Sequence, residues 1–227
     1  MNRFIVFEGL DGAGKSTQIE MLLNYFDGKA ITYKFLHFPR TKETLIGEMI
    51  AKFLRGEFGG IDEIDPQFIA LMYSCDRLNM RRQLLDYMKT YQFLVVDRYV
   101  YSNIAFQCAK LESESKKDEL RNWILELEYA ENSLPKPDLT LYLKAPFRFI
   151  AENLTGRRSG QDREYLKGAS DIHESDMLFQ EKVEREYLKL QDIDPEFKIV
   201  NCEVSRNMIL SPATVNDKIV QYVSALG

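Results

Sequence analysis

Near the start of the chain, Gly9-Leu10-Asp11-Gly12-Ala13-Gly14-Lys15-Ser16-Thr17 carries the spacing G-x-x-x-x-G-K-[ST], the pattern of a phosphate-binding loop. The glycines let several backbone N–H groups turn inward with no Cβ in the way. A helix that starts just after them aims its positive dipole end at the same point. Lys15 supplies a point charge for the outer phosphates of a nucleoside triphosphate, and the Ser16 hydroxyl can take one position on a magnesium ion. Gly9, Asp11, Gly12, Ala13, Gly14, Lys15, Ser16 and Thr17 are therefore the expected cradle. The plainer reading is a glycine-rich turn bearing a solvated lysine. The flanks favour the cradle, because Phe4-Ile5-Val6-Phe7 reads as a buried strand and Gln18 to Leu23 begins a helical pattern.

Other groups able to meet an anion lie downstream. The apolar run Phe93-Leu94-Val95-Val96 ends in Asp97-Arg98-Tyr99, as a central parallel strand does when it opens into a ligand crevice. Asp97 can hold a metal or its waters, and Arg98 can clamp phosphate oxygens. The alternative is a structural Asp-Arg pair at a helix start. Another strand-like run, Ile31 to Phe38, is stopped by Pro39 and followed by Arg40, so Phe38, Pro39 and Arg40 belong near the same crevice or form an ordinary strand end. Tyr73 and Arg77 are four apart on one helical face, where a ring beside a guanidinium could stack on a base and hold an anion. A partly packed surface pair is the bland alternative. Ser102, Asn103, Phe106 and Gln107 cluster on one side of the next helix by the same spacing rule.

The stretch Gly156 to Arg163 sets Arg157, Arg158 and Arg163 among glycines with no apolar anchor. It cannot pack as core. Beside a phosphate loop, an arginine-bearing flap would exclude water and bring positive charge to a transferring group; otherwise it is an exposed loop.

The elements that must position these residues alternate short apolar runs with helix-period stretches, which predicts an α/β fold. Strands are expected at Phe4–Phe7, Ile31–Phe38, Phe93–Val96, Leu139–Leu143 and Phe197–Val200. Helices are expected near Leu45–Leu54, after the Asp65-Pro66 entry with Phe68, Ile69, Leu71, Met72, Cys75 and Leu78 buried, near Phe147–Leu154, after a capping box at Asp171 and Glu174, and after Ser211-Pro212. With 227 residues and 45% hydrophobic content, a single domain over residues 1–227 is expected.

A net charge of −5 gives no general basic field for nucleic acid. Cys75, Cys108 and Cys202 have no metal or disulfide spacing and are expected to be reduced and buried. His37 and His173 have no partner pattern and are expected to be structural. No apolar stretch approaches the roughly 18 residues of a membrane span, and a cytoplasmic protein without a membrane role is expected.

Taken together, these motifs resemble the thymidylate kinases over essentially the whole chain. The resemblance is carried by the loop Gly9 to Thr17, Phe38-Pro39-Arg40, Tyr73 with Arg77, Asp97-Arg98-Tyr99 with Ser102, Asn103 and Phe106, Pro137-Asp138-Leu139, and the arginine-rich segment. It implies a P-loop three-layer fold, a parallel five-stranded sheet flanked by helices with a short mobile arginine-rich lid at about residues 156–168. It implies transfer of the ATP γ-phosphoryl group to dTMP with Mg2+, in a homodimer. Lys15, Arg98, Asp97 and the arginines 157, 158 and 163 would be catalytic. Ser16, Asp97 and Asp11 would face the metal, while Asp11, Phe38, Pro39, Arg40, Tyr73, Arg77, Arg98, Ser102, Asn103 and Phe106 would line the dTMP site. Adenine contacts would fall near Arg206 to Pro212. Because the loop has Gly12 where some members carry arginine, the compensating charge would come from the flap. A kinase for another monophosphate or a nucleoside shares the loop and the sheet. A GTP-dependent switch would need an N-K-x-D stretch, which the sequence lacks.

Overall fold

The computed structural model describes residues 2–60, 63–155, 176–205 and 208–227. Five parallel strands, β1 (Arg3–Glu8), β2 (Tyr33–His37), β3 (Phe93–Asp97), β4 (Leu139–Lys144) and β5 (Phe197–Asn201), form one sheet in the order β2-β3-β1-β4-β5. The middle strands are unbroken apolar runs because helices cover both faces; Phe4, Ile5, Val6 and Phe7 are all buried, as are Leu94, Val95 and Val96. β1 leads outward to β2 and β4 leads to β5 on the other side. The carboxyl ends at this switch point form the crevice where open α/β sheets bind ligands. Register brings His37 opposite Asp97 and Asp97 opposite Phe7, so β2, β3 and β1 end together.

The helices are α1 (Lys15–Gly28), α2 (Leu45–Leu54), α3 (Pro66–Thr90), α4 (Val100–Cys108), α5 (Glu114–Leu125), α6 (Phe147–Thr155), α7 (Met177–Lys189) and α8 (Pro212–Ser224). Asp65 caps α3 by accepting from the Gln67 N–H at 2.8 Å, with Pro66 in the first turn. Ser211 and Pro212 open α8 in the same way. A π-helical turn, Glu126–Glu131, prolongs α5, and a small hairpin pairs β6 (Glu203–Ser205) with β7 (Met208–Ile209).

Several expectations need correction. On α3, Phe68 (60% exposed), Leu71 (39%) and Leu78 (42%) face outward. The inward face is Ile69, Ala70, Met72, Ser74, Asp76, Arg77, Met80 and Leu84, because polar side chains with buried partners compete successfully for that face. Arg77 is therefore no surface residue. Cys75 is half-buried, whereas Cys108 and Cys202 are buried, and all three are free thiols. The charged stretch around Glu114 starts α5, and its Lys117 reaches Glu186 of α7 at 3.0 Å. The cap of α7 is Asp176, which accepts from the Leu178 and Phe179 N–H groups; Asp171, His173 and Glu174 lie outside the described residues.

Candidate active site

The loop between β1 and α1 has the backbone that its glycines allow. Gly12 and Gly14 sit at φ 88° and 92°, a region costly for other residues. Gly14 occupies the cap position of α1 without a side-chain cap, so the amides of the first turn are left for an anion. The buried Lys15 ammonium donates to the carbonyls of Gly9 at 3.0 Å and Leu10 at 3.2 Å. Burial, then the nearby Arg98 charge, lowers its pKa, with Asp97, Asp11 and Glu8 opposing. Ser16 and Thr17 are exposed at the helix start, and Ala13 is buried beneath it. Asn153 of α6 donates to the Gly12 carbonyl at 2.8 Å, tying the loop to the helix that precedes the arginine segment.

Beside the loop, the end of β3 is held in an unusual conformation. Arg98 adopts φ 65°, a left-handed geometry that costs a non-glycine residue about 1 to 2 kcal/mol. Its N–H still extends the sheet by donating to Phe7 at 2.9 Å. The turn delivers its guanidinium to Asp11 Oδ1 at 2.7 Å and Ser102 Oγ at 3.0 Å, 5.2 Å from the Phe106 ring centre. Burial opposes this charge, but Asp11 and then the other neighbours override it and raise the pKa well above the ordinary value. Asp97 Oδ2 meets His37 Nδ1 at 3.3 Å, which gives His37 a partner its sequence context did not reveal. Burial works against the Asp97 charge, yet the His37 hydrogen bond and the Lys15 charge outweigh it and hold the carboxyl below its usual range.

Glu8, absent from the sequence-based candidates, binds this corner together. Fully buried at the end of β1, its carboxylate accepts from the Tyr99 N–H (3.0 Å), the Ser102 N–H (3.1 Å), the Ser102 hydroxyl (2.5 Å) and the Tyr187 hydroxyl (2.9 Å). The signal was an acid inside an apolar strand, next to the glycine loop.

A second wall forms on α3. The Phe38-Pro39 peptide is cis, and Phe38 is buried. Arg40 donates Nε to Asp76 Oδ1 at 3.1 Å, Nη2 to the same oxygen and to the Asp76 carbonyl at 2.9 Å each, and its N–H to Oδ2 at 2.9 Å. A Cβ on Gly47 of α2 would collide with the Arg40 carbonyl, so the glycine allows this close approach. Tyr73 is half-buried and packs against Ile50, Phe53, Leu54, Ile69 and Met72. Arg77, 2% exposed, donates Nε to both oxygens of Glu128 at 3.1 Å, and its Nη2 bonds the same carboxylate. Burial opposes its charge and Glu128 outweighs that, raising its pKa. Asn103 Nδ2 donates to the Ala70 carbonyl at 3.0 Å and to Glu128 Oε1 at 3.3 Å. Asp76 and Glu128 were also missed, being ordinary acids within polar helical stretches.

Asp11, Lys15, Asp97, Arg98, Ser102 and Phe106 thus form one connected group, with Arg40, Tyr73, Arg77 and Asn103 along α3 and α4. Arg157, Arg158, Arg163 and Arg206 lie outside the described residues. A magnesium ion fits the donor set, since Asp97 Oδ1 is buried without a hydrogen-bond partner and Ser16 stands exposed at the loop. No group of three or more His, Cys, Asp or Glu suited to a metal occurs among the described residues. Such a site suits an ion that takes most of its ligands from phosphate and water.

Comparison with known proteins gives a consistent family. The family model for thymidylate kinase matches residues 7–210. The thymidylate kinase of Mycobacterium tuberculosis is 30% identical over 187 residues, covering 82% of this chain and 84% of that protein. A probable thymidylate kinase of Pyrococcus horikoshii is 30% identical over 202 residues, 87% of each chain. Among solved structures, thymidylate kinase from Candida albicans superposes with a TM-score of 0.74 at 27% identity, over 99% of this chain and 92% of that one.

Proposed function

The chain belongs to the thymidylate kinase family, and on that premise we propose how its residues carry the γ-phosphoryl group of ATP to dTMP, giving dTDP and ADP. The bond from the γ-phosphorus to the β,γ-bridging oxygen breaks, and one to an oxygen of the dTMP phosphate forms. The acceptor is already an anion, so no protein nucleophile is needed. The task is to align two polyanions and neutralise the charge between them.

The loop amides and the α1 N-terminus bind the ATP phosphates, and Lys15 leaves the Gly9 and Leu10 carbonyls to meet the transferring group. Ser16 and Asp97, with Asp11 near them, would hold a magnesium ion, which would neutralise phosphate charge. Arg98, aimed by its left-handed backbone, meets the acceptor phosphate together with Arg40. Tyr73 stacks on the base, Arg77 and Asn103 face its edge, and Phe106 crowds the sugar. One or more of Arg157, Arg158 and Arg163 completes the positive charge. The observation that carries this reading is the link from Asp11 through Arg98 to Ser102, which joins the phosphate loop to the helix bearing Asn103 and Phe106.

We further infer a homodimer. The support is the outward apolar row Phe68, Leu71 and Leu78 on α3, with Leu45 and Met49 also exposed on α2, more apolar exposure than a solvated helix face requires. No helix among the described residues is long and apolar enough to cross a membrane, and the free thiols suit a cytoplasmic setting. The test is steady-state ADP release with dTMP, dUMP, UMP, CMP, AMP and thymidine as acceptors. Preference for dTMP is expected; preference for any other acceptor refutes the substrate assignment.

A further inference from the structure

Glu128 is the one buried residue of the π-helical turn Glu126–Glu131. A π turn inside a helix redirects side chains and is frequent at functional sites. Here it places a carboxylate in the interior. There Glu128 engages Nε and Nη2 of Arg77 and also accepts from Asn103 Nδ2 at 3.3 Å. A lone buried carboxylate is strongly destabilising, and Arg77 and Asn103 answer it from two different helices.

The consequence for Asn103 is an assigned direction. Its amide faces two acceptors, the Ala70 carbonyl and Glu128 Oε1, and an acceptor can be faced only by the NH2 end. The amide oxygen must therefore point away, and Asn103 Oδ1 is buried with no hydrogen-bond partner. For Arg77, Glu128 takes the Nε and Nη2 side. Nη1 keeps only a 3.5 Å approach to the Tyr99 carbonyl, long for a hydrogen bond. The cluster thus holds out one acceptor and one donor.

We infer that Glu128 is a specificity-determining positioning residue, which fixes the orientation of Asn103 and Arg77 so that the pair reads a pyrimidine ring N3–H and the adjacent carbonyl. The inference rests on the proposed role of these two residues at the acceptor base. A thymine or uracil ring donates from N3 and accepts at O4. Cytosine offers an acceptor at N3 and an amino group beside it, so both contacts would turn repulsive and leave buried groups unpaired. Nothing in the cluster separates thymine from uracil, so its selectivity is for 4-oxo over 4-amino pyrimidines.

The experiment measures kcat and KM for dTMP and dCMP, and KM for ATP, in the wild type, Glu128→Gln and Glu128→Asp, with folding checked by circular dichroism. In Glu128→Gln the new amide can turn its NH2 toward Asn103, leaving the Ala70 carbonyl as the one acceptor that still orients the Asn103 amide. In Glu128→Asp the charge that balances Arg77 remains while the carboxylate retracts by one methylene. The expected result in both is a rise of about tenfold or more in KM for dTMP, a smaller change in kcat, an unchanged KM for ATP, and a fall of about tenfold or more in the dTMP to dCMP ratio of kcat/KM. Folded variants that keep the wild-type ratio overturn the role of Glu128. A wild type that shows no preference for dTMP over dCMP overturns the acceptor assignment itself, and this role with it. Should neither variant fold, binding of N3-methylated dTMP to the wild type decides the matter: loss of binding relative to dTMP is expected, and equal binding refutes an acceptor-presenting Asn103.

Discussion

Replacing Glu8 by alanine removes four hydrogen bonds at once and exposes how the site corner is built. Two of the lost bonds are cushioned, because Ser102 Oγ and Tyr187 Oη lie 2.7 Å apart and keep each other as partners. The other two leave the N–H groups of Tyr99 and Ser102 without their acceptor at the start of α4. A buried donor left unsatisfied costs about 1 to 3 kcal/mol, so the pair should cost roughly 2 to 6 kcal/mol. At about 2 to 4 °C per kcal/mol for a domain of this size, the melting temperature should fall by roughly 4 to 24 °C. Glu8→Gln separates shape from charge. Its amide oxygen can still accept from the two N–H groups while its NH2 donates to the hydroxyls, so the loss should stay below about 2 kcal/mol. Urea unfolding with linear extrapolation provides both values. Glu8→Ala within 1 kcal/mol of wild type would refute the idea that this carboxylate holds β1, β3 and α4 in register.

Arg98→Gly and Arg98→Ala should both lose most of kcat, but glycine should be the more stable by about 1 kcal/mol because the position sits at φ 65°; equal melting temperatures would argue against the left-handed turn. Asp97 is held below its ordinary 3.8, so its stabilisation is complete above that value and is lost as pH falls through the lower folded value. Asp97→Asn should flatten the acid limb of the stability profile, and an unchanged limb would show that other groups carry it. Burial pushes the Cys108 thiol up to about 12 and the Cys202 thiol up to about 11, so at pH 8 a disulfide reagent should modify both slowly in the native protein and rapidly in urea. Rapid native reaction at Cys108 or Cys202 would contradict their burial.

The sequence discloses those parts of the site whose chemistry is local. The phosphate loop is one contiguous motif, and the five strands are apolar runs because a parallel sheet covered on both faces leaves no polar positions. Arg98 follows from its place after such a run. Residues that act through distant partners are hidden. Glu8 looks like an interruption of a strand until Tyr187, 179 residues away, is seen beside it. Glu128 sits among other acids, and only the π turn singles it out for burial. The face of α3 is misread for the same reason: periodicity assigns Phe68, Leu71 and Leu78 to the core, while Asp76 and Arg77 take the interior through ion pairs with residues far along the chain. His37 likewise gains its role from strand register, which no local pattern contains.

The proposed function requires direct transfer between two bound nucleotides on a preorganised anion site. Single-turnover reaction of excess enzyme with γ-labelled ATP and dTMP follows that transfer. The label should appear in dTDP with ADP formed in equal amount, and Lys15→Ala should slow that step by orders of magnitude. Label released as inorganic phosphate, or transfer that proceeds unchanged without Lys15, would rule out direct transfer on this site.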